Sequence, residues 1–228
     1  MDVAAFIPAK MTSRRMPEKN MRMLCGQPLL YYSIQAARLA QRVDSIIVSS
    51  EAYMVLDYAR SLGVETHERP TQLSDAKTTS MEVIRHWYQM KAKPPEIVVL
   101  LQPTHPLRNP TDIDTAIDQF RSNDADCQFS LVEENGLFGT LEDGLFQPEE
   151  KLPRSRPKSK KRYRNTGSFY CFRPETTFLG KKHFGERISG YVVSHPEFEV
   201  DIDHESDLRL AEALLSNNRA AFSHFEAE

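Results

Sequence analysis

The chain has 228 residues, with 29 Lys and Arg against 32 Asp and Glu, for a formal net charge of −3 at pH 7. That balance supplies no overall attraction to nucleic acid or to an anionic membrane, so any anion site has to be local. Forty per cent hydrophobic and 27% charged residues suit a globular protein with a sizeable core, and the length suits one domain. Cys25, Cys127 and Cys171 are odd in number and lack metal-ligand spacing, which points to reduced thiols in a cytoplasmic protein. The start, Met1-Asp2-Val3, has no basic region leading into an apolar one, and no stretch approaches about 18 apolar residues, so neither secretion nor a membrane span is expected.

Val3 to Ala9 reads as an apolar strand that runs directly into a loop carrying Lys10, Ser13, Arg14, Arg15, Lys19 and Asn20. A cationic loop at the carboxyl end of a buried strand is where open α/β sheets hold anionic ligands, and a triphosphate suits this one. It is not a Walker A loop, because Gly-x4-Gly-Lys-Ser/Thr is absent. Helical periodicity follows from Pro28 to Gln41, then a strand from Asp44 to Ser50, a helix from Glu51 to Ser61, a short strand from Val64 to His67 and a helix from Ser80 to Met90. Glu96 to Leu101 is apolar over almost its whole length, as a central parallel strand should be. A loop from Gln102 to Pro110, a helix from Thr111 to Arg121 and a strand from Asp126 to Val132 complete a βαβα alternation. The pattern predicts a doubly wound, mostly parallel sheet with helices on both faces.

From 133 to 164 the texture changes. Asn135-Gly136 and Asp143-Gly144 are turn signals between short apolar runs, which predicts an antiparallel excursion, and Lys151 to Arg164 is a basic run without an acidic residue. Those cations suit closure over an acidic substrate, a solvated arm or nucleic acid. With Tyr163 the one ring among them, nucleic acid is the least favoured. Gly167 to Phe172 and Ser189 to Ser194 read as strands, Glu205 to Ser216 as a closing amphipathic helix, and the last dozen residues as frayed.

Two further groups carry chemistry. On an extended segment Asp201 and Asp203 point to one side and offer two hard oxygens to a cation; Mg²⁺ is the expected one, held with substrate phosphates. The alternative is that Asp203 or a neighbour caps the last helix. At the end of the central strand, Gln102, Thr104, His105 and Arg108 can line a pocket, and Gln102 leaves at the ligand edge.

In order along the chain, Ile7-Pro8-Ala9-Lys10 through Ser13-Arg14, Lys19-Asn20, Arg69-Pro70, Thr79-Ser80, Leu101-Gln102-Pro103-Thr104 with Pro106-Leu107-Arg108, Gly167-Ser168-Phe169-Tyr170 and Asp201-Ile202-Asp203 resemble the CMP-sugar synthetases, specifically the acylneuraminate cytidylyltransferase branch. The resemblance covers about Phe6 to Ala213. It implies a Rossmann-like α/β fold of the nucleotide-diphospho-sugar transferase type, formed by 1–228 as a single cytidylyltransferase domain with 133–164 as an inserted hairpin for dimerisation and the sugar site. It also implies CTP and an acidic α-keto sugar as substrates, Mg²⁺ as cofactor and a homodimer. By the same resemblance, Lys10, Ser13, Arg14, Lys19 and Asn20 hold the triphosphate and Arg69 with Ser80 reads the cytosine. Gln102, Thr104, Arg164 and Tyr170 meet the sugar, Asp201 and Asp203 hold the metal, and Lys19 with these two aspartates is catalytic.

The chain departs from the family's pattern where Lys10-Met11-Thr12 replaces an Arg followed by two glycines, and Lys10 lacks the bidentate fork of Arg. Pro103-Thr104-His105-Pro106 stands where Kdo-activating enzymes carry an acidic Gly-Asp-Glu-Pro stretch, which favours a sialic-acid-like nonulosonic acid. The implied reaction transfers CMP from CTP to that sugar's anomeric hydroxyl, with release of pyrophosphate. The alternatives are transfer to another acidic sugar such as Kdo, or a catalytically silent nucleotide-binding homologue.

Overall fold

Alternation along the first strand divides the interior. In β1 (Val3–Pro8), Val3, Ala5 and Ile7 face one core while Ala4 and Phe6 face another, and all are buried. A strand buried on both faces needs helices on both sides of its sheet. The computed structural model, which describes residues 2–12, 15–75, 77–136, 138–149, 161–179 and 184–225, supplies them.

After β1 come a small hairpin of β2 (Met23–Leu24) and β3 (Gln27–Pro28), then α1 (Leu29–Leu39), β4 (Ser45–Ser50), α2 (Tyr53–Ser61), β5 (Glu65–Glu68), α3 (Ser80–Gln89) and β6 (Ile97–Leu101). The chain continues through α4 (Pro110–Arg121), β7 (Cys127–Glu134), β8 (Gly139–Glu142), β9 (Leu145–Pro148), β10 (Arg162–Phe172), α5 (Pro174–Leu179), β11 (Ile188–Val192) and α6 (Glu205–Asn217). Seven strands form one sheet in the order β11-β7-β10-β6-β1-β4-β5. All its pairings are parallel except those of β10, which runs antiparallel to both β6 and β7. Leu30 and Ile34 of α1, Val55 of α2 and Phe120 of α4 pack on one face; Met81, Ile84 and Trp87 of α3 cover the other, against Phe6, Leu100 and Phe172. Because β4 follows β1 on one side and β6 lies on the other, the strand order reverses between β1 and β6, opening a crevice at their carboxyl ends.

The expected strands and helices are present, with four differences. β10 begins at Arg162, five residues before the expected Gly167, because its polar first half pairs with the extension of β7, from Arg162 opposite Glu134 to Asn165 opposite Leu131. The register then shifts, and Tyr170 falls opposite Phe129. The β2–β3 hairpin and α5 lacked a sequence signal. The expected fraying of the last dozen residues is corrected by a short 3₁₀ turn at Ser223–Phe225, where Phe222 and Phe225 are buried and Phe225 meets Tyr32 edge-on. Ser13, Arg14 and most of the basic run, 151–160, lie outside the described residues.

Arg108, expected to line the pocket, turns inward and is fully buried. Its guanidinium donates to the Ser168 carbonyl (2.6 Å), the Ser33 hydroxyl (2.9 Å) and the Gln102 carbonyl. Burial lowers its pKa to about 9, with Glu199 and Asp201 opposing the shift, so it stays charged at neutral pH. One side chain thereby fixes the exit of β6 to β10 and α1. Arg108→Met should lower the unfolding free energy by about 2 kcal/mol or more, because it strips buried polar groups of their partner; urea unfolding followed by circular dichroism measures this, and an unchanged midpoint would contradict it.

Candidate active site

The crevice between β1 and β6 is a cleft of about 210 Å³ with three walls. Lys10, Lys19 and Asn20 form the first, just past β1. Asn20 is buried and donates from Nδ2 to the Lys10 carbonyl (2.8 Å), folding the loop back on itself after Glu18 takes a left-handed turn at φ 55°. The second wall is Arg69, Leu73, Thr78, Ser80 and Val83. Here Thr79 accepts a hydrogen bond from the Glu82 amide and Glu82 accepts one from the Thr79 amide, a capping box that starts α3 at Ser80. Gln102, Pro103 and Thr104 close the third side. One part of the cleft thus sets apolar Pro8, Leu73 and Val83 beside hydroxyl and guanidinium groups, and another is cationic. That pairing suits a flat polar heterocycle joined to a polyanion.

Arg69 is held from behind. Its amide donates to the Ser50 carbonyl (3.1 Å), its Nη2 to the Ser49 carbonyl (3.4 Å), and its Nε lies 3.3 Å from Glu51 Oε2. Burial lowers its pKa, and the Glu51 carboxylate opposes the shift. Burial pushes the Glu51 pKa up, but hydrogen bonds from its own amide and that of Met11, the Arg69 charge and the Ser74 hydroxyl outweigh it and hold the group ionised.

Asp203 sits against the first wall. Its Oδ1 accepts from Lys19 Nζ at 2.9 Å, and its Oδ2 pairs with Arg15. The Lys19 hydrogen bond holds its carboxyl below the ordinary range despite partial burial. Capping of α6 falls instead to Asp207, which accepts from the amides of Asp203 (3.0 Å) and His204 (2.7 Å). Asp201 is half exposed, with Oδ1 3.7 Å from Nδ1 of buried His105. Burial lowers the His105 pKa to about 4, against the pull of Asp201, so the ring is neutral at pH 7 and this contact is not an ion pair. The backbone between the two aspartates is pinned by the Ile202 amide donating to the Thr104 carbonyl (2.8 Å). Among the described residues no cluster of three or more His, Cys, Asp or Glu side chains could enclose a metal ion. Mg²⁺ needs none, being held by one or two carboxylates with water and phosphate oxygens, and Asp203 and Asp201 are donors of that kind.

The cleft therefore brings together Lys10, Lys19, Asn20, Arg69, Ser80, Gln102 and Thr104 from distant parts of the chain, with Asp203 attached through Lys19. Arg164 and Tyr170 do not line it. Arg164 pairs with Glu134 at 2.6 Å on the exposed ribbon, and the Tyr170 ring stacks on Phe172 while its hydroxyl accepts from Asn165 (2.9 Å). Thr78 and Glu51 were missed from sequence. In the sequence Glu51 only opens a helical segment, although its place directly after a parallel strand is the edge where ligands bind.

A family model described as cytidylyltransferase matches residues 4–226. The chain is 30% identical over 216 residues to the N-acylneuraminate cytidylyltransferase of Streptococcus agalactiae, covering 91% of this chain and 52% of that protein. It is 27% identical over 244 residues to the CMP-N,N'-diacetyllegionaminic acid synthase of Legionella pneumophila, covering 97% and 99%. The chain thus spans about half the length of the first of these relatives and nearly all of the second. In fold it is similar to a CMP:2-keto-3-deoxy-manno-octonic acid synthetase solved in complex with CTP, with a TM-score of 0.73 at 14% identity over 95% of this chain and 99% of the other. With the model matched over almost its whole length, the chain belongs to the cytidylyltransferase family.

Proposed function

We propose that this protein transfers CMP from CTP to the anomeric hydroxyl of a sialic-acid-like nonulosonic acid. The observation that carries this is the cleft at the β1/β6 reversal, where Lys10, Lys19 and Asn20 face Arg69 and Ser80, in a chain that belongs to the cytidylyltransferases. The two relatives described above are named for an acylneuraminate and a legionaminic acid, both nonulosonic acids, which supports this sugar class.

In the reaction, an oxygen–phosphorus bond forms between the sugar hydroxyl and the α-phosphorus of CTP, the α–β phosphoanhydride breaks, pyrophosphate leaves and the hydroxyl proton is released. Arg69, Thr78 and Ser80 offer hydrogen bonds to the base edge while Leu73 and Val83 give it an apolar surface. Lys10, Lys19 and Arg14 of the same loop neutralise the phosphates, and Ser13 donates to a phosphate oxygen. Lys19, held at the rim by Asp203, meets the charge that grows on the α-phosphoryl oxygens, where a fixed cation stabilises the transition state more than the ground state. Gln102 and Thr104 orient the sugar from the β6 exit, with Tyr170 and Arg164 of β10 as further contacts. Asp203 and Asp201 would hold Mg²⁺, which when bound supplies positive charge to the phosphates. No residue needs to form a covalent intermediate.

The whole chain acts as one catalytic domain, and 133–164 serves a homodimer. Leu141, Leu145 and Phe146 on the β8–β9 hairpin and Tyr163 on β10 expose between 46% and 72% of their surface. Apolar groups gathered so on an extended ribbon suit a partner copy. The proposed reaction suits the cytoplasm; no helix among the described residues is long and apolar enough to cross a membrane.

Pyrophosphate release should be seen with CTP but not ATP, GTP or UTP, given Mg²⁺ and one of N-acetylneuraminic, legionaminic or pseudaminic acid. Asp203→Ala should cut turnover by about a hundredfold or more, the scale of losing one charge-stabilising group. Turnover of Kdo alone, or of another nucleotide, would overturn the proposal; CTP binding without turnover of any sugar would leave a nucleotide-binding homologue. Sedimentation should give about twice the chain mass of 26.2 kDa. Replacing Leu141, Leu145 and Phe146 together by Ser should give monomers, and a wild-type monomer would refute the dimer.

A further inference from the structure

We infer that Glu51 is a positioning residue of the nucleotide site, a single carboxylate that sets the phosphate-side loop and the base-side arginine in one fixed relation. The inference rests on the reading of the cleft as a nucleotide site.

β1 and β4 pair in parallel to Pro8 opposite Ser49, and the Ala9 amide still donates to the Ser49 carbonyl (2.8 Å). Past that point the two backbones separate, and the Glu51 side chain continues the ladder. Its Oε1 accepts from the Met11 amide at 2.9 Å. The other oxygen, Oε2, accepts from the Ser74 hydroxyl at 3.0 Å and faces Arg69 Nε at 3.3 Å. Every one of these groups lies on the two segments that wall the cleft. Those segments are also joined directly, by the Thr12 hydroxyl donating to the Ser74 carbonyl (3.1 Å) and by Lys10 Nζ reaching the Asp75 carbonyl (3.4 Å).

This is not a surface ion pair of negligible weight. The side chains of Arg69 and Glu51 are 3% and 13% exposed, so the guanidinium depends on that carboxylate for its compensating charge. Without it, Arg69 would have to move or draw in water, and Met11 would lose the acceptor that fixes the loop backbone. Both changes act on where substrate groups sit, so the effect belongs in substrate binding, not in the chemical step.

Two variants separate the contributions. Glu51→Gln keeps an acceptor for Met11 but removes the charge facing Arg69; Glu51→Asp keeps the charge but shortens the reach by one methylene. Glu51→Gln should raise the KM for CTP about tenfold or more with kcat changed less than about threefold, and Glu51→Asp should recover part of that loss. In the protein without nucleotide, amide exchange of Met11 should be slow in the wild type and faster in Glu51→Asp. A fall in kcat at unchanged KM, the mark of a smaller folded fraction, would overturn the inference, as would Met11 exchange equal in wild type and Glu51→Asp. The exchange result stands whether or not CTP is turned over: a wild type that turns over no CTP yet protects Met11 through Glu51 would count against the proposed reaction alone.

Discussion

A guanidinium sealed away from water has to be surrounded by acceptors, and here that requirement organises the site. Arg108 takes the carbonyls of Gln102 and Ser168 and the hydroxyl of Ser33, so the exit of β6 cannot move relative to β10 and α1. Within that held loop, the Thr104 carbonyl receives the Ile202 amide, which sets the flanking aspartates at the rim. Asp203 in turn fixes Lys19, 184 residues earlier in the chain. The order of dependence therefore runs from a buried charge through two backbone contacts to an ion pair at the cleft mouth. A substitution of Ser33 touches the same line of contacts, whereas Ser168 contributes its backbone carbonyl, which any residue there keeps.

The electrostatics of the cleft are local, as a net charge of −3 requires. Lys10 and Lys19 would oppose phosphate charge in the proposed reaction, but Lys19 and Arg15 are already engaged by Asp203. In the proposed reaction a triphosphate would compete with that carboxylate for Lys19, and Mg²⁺ held by Asp203 would supply positive charge that eases the competition. On that reading preorganisation and metal dependence would be two aspects of one arrangement. A cation held ready by an acid is useful only when something replaces it at that acid.

The parallel core was legible because burial on both faces leaves a continuous apolar run, as in Ile97 to Leu101, and because helix-period segments separate such runs. Lys10 and Gln102 were legible because each lies just past a strand end, Lys19 and Asn20 because they belong to the same cationic loop as Lys10, and Arg69 and Ser80 only through the family resemblance. What escaped followed from side-chain direction and partner choice. Arg108 sits in a loop beside the cleft, and its spacing says nothing of which way it points. Arg162 to Asn165 are polar and lack strand patterning, and they become a strand only because β7 extends to meet them. Phe222 and Phe225 lie in a terminus of frayed texture, and nothing in the local sequence reveals that Tyr32 and Phe198 await them.

In the proposed function, Met11 and Thr12, standing where the resemblance leads one to expect glycines, would change how the first loop holds phosphate. A glycine loop exposes amides for close backbone approach. Here the Met11 amide is already satisfied by Glu51 and the Thr12 hydroxyl by the Ser74 carbonyl, so this part of the loop is tied to the wall beside it. Among the described residues of the loop, Lys10, Lys19 and Asn20 line the cleft. In the proposed function phosphate would then be met by charges on long side chains, and discrimination would rest on the wall of Arg69, Thr78 and Ser80, which Glu51 and the Ser49 and Ser50 carbonyls hold from behind at Arg69. Such a site would read the base by fixed geometry and the phosphates by charge.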